Sequence, residues 1–185
     1  MREWIFRMRG GIWTLLFLAI IFMVRGTTPG IMAVSAVIVV IGQVWRCWSA
    51  GSIGLYRGEN VKAQKLATTG PYALMRNPLY FGNFVIGLGW SMIAGKWAVV
   101  IFAVCFWAVY VMAIIPHEEA FLRGKFGHDY EEYCGRVRRF HPAKLDMKAI
   151  TAPVDWDIVR RSEIHTIIST VTGTAIIIAV SLCYT

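Results

Sequence analysis

The chain has 185 residues, of which 57% are hydrophobic and only 16% are charged, and its formal net charge is +8. A soluble domain carries about 25% charged residues, and the uncharged residues of this chain are collected in long runs. The composition therefore excludes an intrinsically disordered chain and an ordinary soluble enzyme, and it predicts a single membrane domain over residues 1–185.

Five apolar runs predict five membrane-spanning helices. In chain order, they lie at residues 11–24, 30–48, 79–94, 97–115 and 164–183. Several of these runs are shorter than the ~20 residues that a helix needs to cross ~30 Å of hydrocarbon. Only Gly95 and Lys96 separate the third run from the fourth, which predicts a tight antiparallel hairpin between these two helices.

The charged residues predict the orientation of the five helices. All 11 acidic residues, and all of the 19 basic residues except Arg25 and Lys96, fall on one side of the membrane. The positive-inside rule assigns that side to the cytoplasm, so we expect a cytoplasmic N-terminus and an outside C-terminus in a cell (inner) membrane. Topology and attraction to anionic headgroups then explain the positive charge, and we do not expect nucleic acid as a partner.

The first cytoplasmic segment with candidate chemistry covers residues 55–80. Gly70-Pro71 is typical of a turn, and Asn77-Pro78 predicts the start of a helix whose free N–H groups suit a carboxylate or phosphate. Arg76 adds a positive charge beside this helix start. The alternative is that Asn77 only caps the helix and that Arg76 only reaches the lipid headgroups.

The second cytoplasmic segment covers residues 116–142 and predicts one amphipathic helix. Its apolar residues recur every three or four positions: Leu122, Phe126, Tyr130, Tyr133 and Val137. Extending this stripe back by four positions puts Glu118 on the buried face, whereas Glu119 points outward toward Arg123. A carboxylate on a buried face needs a cation or hydrogen-bond donors, so Glu118 is the functional candidate. The alternative is a structural pair between Glu118 and a loop Arg or Lys.

Several catalytic and cofactor motifs are incomplete. His117-Glu118-Glu119 lacks the second histidine of the HExxH zinc motif, and the four cysteines have no metal-site spacing, so no metal site is predicted. Gly87 and Gly89 lack a third glycine in register, and they predict close helix packing instead.

Two segments resemble motifs of the isoprenylcysteine carboxyl methyltransferase and phospholipid methyltransferase superfamily. Residues 68–83, TTGPYALMRNPLYFGN, are similar to G-P-Y-x-x-x-R-H-P-x-Y-x-G, and residues 118–137 are similar to E-E-x-x-L-x-x-x-F-G-x-x-Y-x-x-Y-x-x-x-V. The resemblance implies an all-α integral membrane fold of about five helices, with a cytoplasmic amphipathic helix covering a cofactor pocket. Asn77 replaces the family's histidine and cannot shuttle a proton near neutral pH.

The resemblance also implies the activity and the site. It implies a methyltransferase of the EC 2.1.1 type that uses S-adenosyl-L-methionine. The acceptor would be a lipid, or a lipid-like or small amphiphilic molecule, of the isoprenylcysteine carboxylate type or the phospholipid amine type. Arg76 is the candidate catalytic residue, which would orient an anionic acceptor. The implied cofactor-binding residues are Gln64, Lys65, Leu66, Ala67, Tyr72, Asn77, Pro78, Leu79, Tyr80 and Glu118, with Glu119 as the second choice for the last position.

Two other classes of function stay open. An NADPH-dependent sterol or steroid reductase carries a similar R-x-P-x-Y-x-G element, usually followed by Glu, whereas Asn83 follows Gly82 in this chain. A non-catalytic membrane protein or small transporter is the other class. Against a transporter, the predicted spans contain no buried carboxylate or basic residue that would mark a pathway.

Overall fold

The computed structural model describes residues 9–53, 66–140 and 147–184, and within these ranges the chain forms α-helices and no strand. In chain order the helices are α1 (Arg9–Met23), α2 (Pro29–Ser52), α3 (Pro71–Leu74), α4 (Pro78–Ala94), α5 (Lys96–Phe126), α6 (His128–Arg136), α7 (Met147–Ile150) and α8 (Trp156–Leu182). The predicted all-α fold is confirmed.

Three of the helices, α2, α5 and α8, are long and apolar enough to cross a membrane by length and composition. Helix α4 and most of α1 are apolar but shorter. The outer faces of the long helices expose large apolar side chains, such as Val40, Val104 and Val171, each at least 60% exposed. Such a surface suits lipid rather than water, and the protein is an integral membrane protein. That all five apolar helices cross stays a prediction.

Two helices are longer than the sequence predicts. Helix α2 continues to Ser52 instead of ending at residue 48. Helix α8 begins at Trp156 instead of residue 164, because the Asp155 side chain caps it by accepting a 3.1 Å hydrogen bond from the Ile158 N–H. Both helices therefore continue beyond the predicted apolar runs at these two ends. Glu163 is thus helical, as is Arg46, which already lies within the predicted run 30–48.

The bundle is built around α2 and α4, which pack closely through small residues. A Cβ atom at Gly42 would lie 2.9 Å from Ile86 Cγ1, and one at Gly89 would lie 2.7 Å from Val39 Cγ2. The packing role predicted for Gly89 is confirmed. Helices α4 and α5 form the predicted hairpin, in which Gly95 alone separates them with a φ of +103°.

Helix α5 passes through Pro116 without ending. Residues Trp107–Ile114 form π-helical turns, and the Ile115 N–H bonds the carbonyl of Tyr110, five residues earlier. Proline has no N–H and its ring clashes with the carbonyl four residues before it, so a widened helix accommodates Pro116 where a regular one would break. The prediction that a separate helix opens at residue 116 was wrong.

The predicted amphipathic helix is two helices, α5 and α6, because Gly127 interrupts it with a φ of +52°. The apolar stripe nevertheless forms one cluster, as its spacing predicts. Tyr130, Tyr133 and Val137 are buried in that cluster, and Leu66, Leu122, Phe126 and Cys134 pack against it. The cluster fixes α6 against the segment that leads into α3.

Candidate functional site

The site is assembled around the turn that connects α3 to α4. Gly70 adopts a φ of +60° and Pro71 begins α3, as the Gly-Pro pair predicts. The phenol of Tyr133 on α6 donates a 2.7 Å hydrogen bond to the Tyr72 carbonyl. Burial raises the pKa of the Tyr133 phenol, so this donor stays protonated over the whole physiological range.

The chain that follows α6 runs beside the start of α4. The backbone N–H of Arg76 donates to the Arg138 carbonyl at 2.9 Å, and the N–H of Asn77 donates to the Arg139 carbonyl at 3.3 Å. These bonds join the start of α4 to the segment that follows α6. The next N–H groups, in the first helical turn, have no intrahelical acceptor in any α-helix.

Glu119 is the buried carboxylate of the site, contrary to the prediction that it points outward. It is 4% exposed and accepts hydrogen bonds from Arg139 Nη2 at 2.7 Å and from Asn77 Nδ2 at 3.4 Å. Arg76 Nη2 lies 3.3 Å from its carboxylate. Arg123, the partner expected for Glu119, instead contacts Glu131 at 3.3 Å.

A one-residue error in helical phase explains the wrong prediction for Glu119. The buried face of α5 contains Ile115, Glu119, Leu122 and Phe126, at spacings of four, three and four residues. The stripe therefore continues back from Leu122 by three positions to Glu119, where the prediction used four. Both steps are compatible with an α-helix, so the spacing alone did not decide between the two glutamates.

The Glu119 cluster, defined as Glu119, Arg76, Arg139 and Asn77, has one negative charge and two positive charges. The hydrogen bond with Glu119 raises the pKa of Arg139, whose side chain is 44% exposed. Arg76 is more enclosed, and its Nε has no hydrogen-bond partner among the described residues. Sequence analysis did not single out Arg139. Its position just after Val137, where the apolar stripe ends, was the signal that could have identified it.

Glu118 faces α4 and joins the two sequence motifs. Its carboxylate accepts a 2.7 Å hydrogen bond from the phenol of Tyr80, and both side chains are half-buried. The Tyr80 ring packs against Tyr110, in the π-helical part of α5, with 5.5 Å between ring centroids. The structure therefore brings Glu118 and Glu119 together with the first turn of α4.

The remaining predicted residues precede α3 or form the first turn of α4, except for two that are not described. Leu66 and Ala67 are half-buried in the segment before α3, and Pro78 and Leu79 form the first turn of α4. The Pro78 carbonyl accepts a 3.1 Å hydrogen bond from Trp45 Nε1. Gln64 and Lys65 lie outside the described residues.

Asn77 occupies the position before the first residue of α4, but its side chain makes no capping hydrogen bond. Its amide binds Glu119 instead. The alternative that Asn77 only caps this helix is therefore wrong.

A second charged cluster lies deeper in the bundle, where sequence analysis expected none. Arg46 on α2 donates to both carboxylate oxygens of Glu163 on α8, at 3.0 and 3.1 Å. Their side chains are 6% and 0% exposed. Arg46 Nη1 also donates to Asn83 Oδ1 on α4. The expectation that the spans contain no buried charge was wrong: Arg46 lies within the run 30–48, Glu163 lies on α8 because this helix begins before residue 164, and the two charges compensate each other.

The comparisons with known proteins agree with the resemblance of the two motifs. The family model "Phospholipid methyltransferase" matches residues 27–129, more than half of the chain. The probable protein-S-isoprenylcysteine O-methyltransferase of Oryza sativa subsp. indica is 36% identical over 110 residues, which cover 56% of this chain and 57% of that protein. The protein-S-isoprenylcysteine O-methyltransferase of Schizosaccharomyces pombe is 36% identical over 77 residues, covering 41% and 32% of the two chains.

A third relative represents the predicted alternative. The Delta(14)-sterol reductase LBR of Gallus gallus is 30% identical over 80 residues, which are 41% of this chain and 12% of that protein. No solved structure matches the chain significantly. The chain spans between about one tenth and three fifths of the length of these three relatives. Because the family model covers both helices of the predicted hairpin and most of the site, the chain belongs to the phospholipid methyltransferase family.

Proposed function

We propose that the protein is an integral membrane methyltransferase that uses S-adenosyl-L-methionine to methylate a lipid or lipid-like acceptor. The observation that carries this proposal is the meeting of the two motifs at the start of α4. Glu118 binds Tyr80, and Glu119 binds Asn77 and Arg76, so segments about 40 residues apart in the chain form one site. Family membership supports the same activity.

The residues around this turn fit the chemical groups of S-adenosyl-L-methionine. The first-turn N–H groups of α4, at Leu79 and Tyr80, suit the methionine carboxylate. Glu118 suits the ammonium group, because its half-buried carboxylate lies beside Tyr80 at the first turn of α4, whereas Glu119 is bound by two guanidinium groups. The rings of Tyr72 and Tyr80 suit the adenine and the sulfonium. Leu66 and Ala67 would line the site, and we retain Gln64 and Lys65 as further candidates.

The bound cofactor supplies an electrophilic methyl group on a sulfonium, whose leaving group is neutral. The chain therefore has to orient the acceptor and to exclude water more than to move protons. The single excess positive charge of the Glu119 cluster favours an anionic acceptor, such as a carboxylate, over an ammonium, which must first lose a proton. Arg76 remains our candidate for orienting that acceptor, and Arg139, which is more exposed, joins it.

A methylation assay tests the proposal directly. Detergent-purified protein is incubated with methyl-labelled S-adenosyl-L-methionine and a total lipid extract, and the lipids are then separated and counted. We expect label in a lipid fraction, and base-labile label if the acceptor is a carboxylate. Retention of labelled cofactor by the wild-type protein, with loss of retention in Glu118→Gln, is the matched binding control. A protein that retains no cofactor and labels no lipid would contradict the proposal.

The reductase alternative has one supporting observation, the shorter alignment to the sterol reductase. At the position where the motif of those enzymes usually has Glu, Asn83 accepts a hydrogen bond from Arg46 and so has a structural partner here. Titration with NADPH in place of S-adenosyl-L-methionine separates the two functions. Binding of NADPH alone would favour reduction.

A further inference from the structure

Helix α8 lies outside residues 27–129, the part of the chain that the family model matches. It is nevertheless tied to the bundle by polar contacts along its length. The Asp155 N–H donates to the Gly51 carbonyl at 3.1 Å. Farther along, Thr170 donates to Gln43 Oε1 at 2.8 Å, and Thr174 accepts a 2.9 Å bond from Trp90 Nε1. These contacts raise the question of what the helix does for the site.

The strongest of these contacts is the Arg46–Glu163 pair. Three nitrogen–oxygen distances of 3.0 to 3.2 Å join the guanidinium to both carboxylate oxygens, and neither side chain is more than 6% exposed. Paired planar groups of this kind fix each other's orientation as well as their position. Glu163 therefore determines where the guanidinium of Arg46 points.

Arg46 and its neighbour Trp45 in turn hold the first two turns of α4. The Arg46 guanidinium donates to Asn83 Oδ1, and the aliphatic part of its side chain lies against Gly82, where no Cβ atom would fit. Trp45 Nε1 donates to the Pro78 carbonyl at 3.1 Å. Helix α2 thus contacts α4 both before and after Tyr80 in the chain. Tyr80 is the residue that binds Glu118.

We propose that Glu163 on α8 is a positioning residue for the candidate site. It acts through Arg46 and Asn83, and it holds the first turns of α4 at the distance from α5 that cofactor binding requires. The inference rests on the proposed function, because it concerns the same cofactor site. It assigns a role to a helix that the family match does not include.

Four variants test the proposal. Glu163→Gln removes the charge, Glu163→Asp keeps it, and Asn83→Ala removes the hydrogen bond between Arg46 and α4 while leaving the ion pair intact. Thr170→Val is the matched control, since it breaks another buried contact of α8 without touching Arg46. The affinity for S-adenosyl-L-methionine is measured by calorimetry well below the melting temperature of each variant, and the melting temperature is recorded in parallel.

We expect Glu163→Gln and Asn83→Ala to weaken cofactor binding by roughly 5- to 10-fold, because a sub-ångström shift of the α4 start misaligns its donors. Glu163→Asp recovers most of this affinity. Thr170→Val lowers the melting temperature but changes the affinity by less than about twofold. It removes only the hydrogen bond between α8 and Gln43 of α2, which does not involve Arg46 or α4.

The outcomes distinguish the positioning role from the proposed function. Unchanged affinity in Asn83→Ala, with normal binding by the wild-type protein, would overturn the positioning role and leave the function standing. A wild-type protein that binds no cofactor would overturn both. Where Glu163→Gln does not fold, Asn83→Ala decides, because it retains the buried ion pair. Equal affinity losses in Asn83→Ala and Thr170→Val would show that α8 acts only through general stability.

Discussion

The molecule contains two clusters of paired charges that differ in balance and burial. The Arg46–Glu163 pair joins residues 117 positions apart, matches one cation with one carboxylate, and is closed to solvent. The Glu119 cluster offers two guanidinium groups to one carboxylate, and the side chain of Arg139 within it is 44% exposed.

This difference supports our proposal that the Arg46–Glu163 pair is structural and that the Glu119 cluster binds a ligand. A neutral, closed pair has no charge left for a ligand, so its effect is to fix the helices that carry it. A cluster with an excess positive charge at an accessible edge attracts an anion. A buried pair is also costly to break, because the remaining charge cannot be hydrated.

The largest effect that this comparison predicts is on stability. Glu163→Gln leaves the Arg46 guanidinium buried without its carboxylate, and we expect a loss of about 3–5 kcal/mol in the free energy of unfolding. Denaturant titration of the protein in micelles measures it. The double variant Arg46→Met/Glu163→Leu replaces the pair by apolar side chains and should recover most of the loss. A loss below about 1 kcal/mol in Glu163→Gln would mean that water reaches the pair.

The next largest effect is on cofactor affinity, and it concerns Glu118, the residue next to Glu119. Glu118→Gln removes a charge-assisted hydrogen bond to the cofactor's ammonium group, worth about 1.5–3 kcal/mol. Affinity for S-adenosyl-L-methionine should therefore fall roughly 10- to 150-fold in calorimetry. The bond from the Tyr80 phenol should persist, because the amide oxygen of the substituted side chain would still accept it. Affinity equal to that of the wild-type protein would place the ammonium group elsewhere.

Glu119→Gln tests how much the buried Glu119 carboxylate contributes to the free energy of unfolding. We expect it to lower the unfolding free energy by about 1.5 kcal/mol, near the lower end for charged hydrogen bonds because water screens Arg139. Arg123→Ala is the matched control, since it breaks an ion pair of the same region with 52% and 62% exposed side chains. That change should cost less than about 1 kcal/mol. If the two losses were equal, the Glu119 cluster would contribute no more than a surface pair.

The smallest effect concerns the contact between α6 and the turn. Tyr133→Phe removes the hydrogen bond to the Tyr72 carbonyl, and we expect a loss of about 1 kcal/mol in the unfolding free energy. Because burial raises the pKa of this phenol in the folded protein, its contribution is constant below pH ~10, the unfolded value, and is lost only above it. A difference between wild type and variant that changes between pH 6 and 8 would contradict this assignment.

Local features of the chain were predictable from the sequence, and two of them show why. The hairpin at Gly95 and the helix start at Pro78 depend on neighbouring residues only, so the residue types are sufficient. The cluster of Tyr130, Tyr133 and Val137 depends on periodicity, and residues from both sides of the interruption at Gly127 still join the same cluster.

Pairing between distant side chains was not predictable. Glu119 was assigned to Arg123 because residues four apart face each other on a helix, whereas its partners, Arg76 and Arg139, come from other segments. Glu163 was placed outside the last span because hydropathy falls at charged positions even where the helix continues, and Arg46, although inside the run 30–48, was counted with the charges of the segment that follows it. In both cases the tertiary contact satisfies a charge that local reasoning assigned to solvent.

The sequence by itself determined that this is a helical membrane protein with two family motifs, because composition, periodicity and turn residues act over a few positions. Only the tertiary structure decided which glutamate is buried, which arginines meet it, and how α8 is joined to the site. These choices depend on helix phase and on where separate helices cross, and a change of one residue in phase turns a side chain by about 100°. A rotation of that size decides whether an ion pair forms. It does not decide whether an apolar segment is helical.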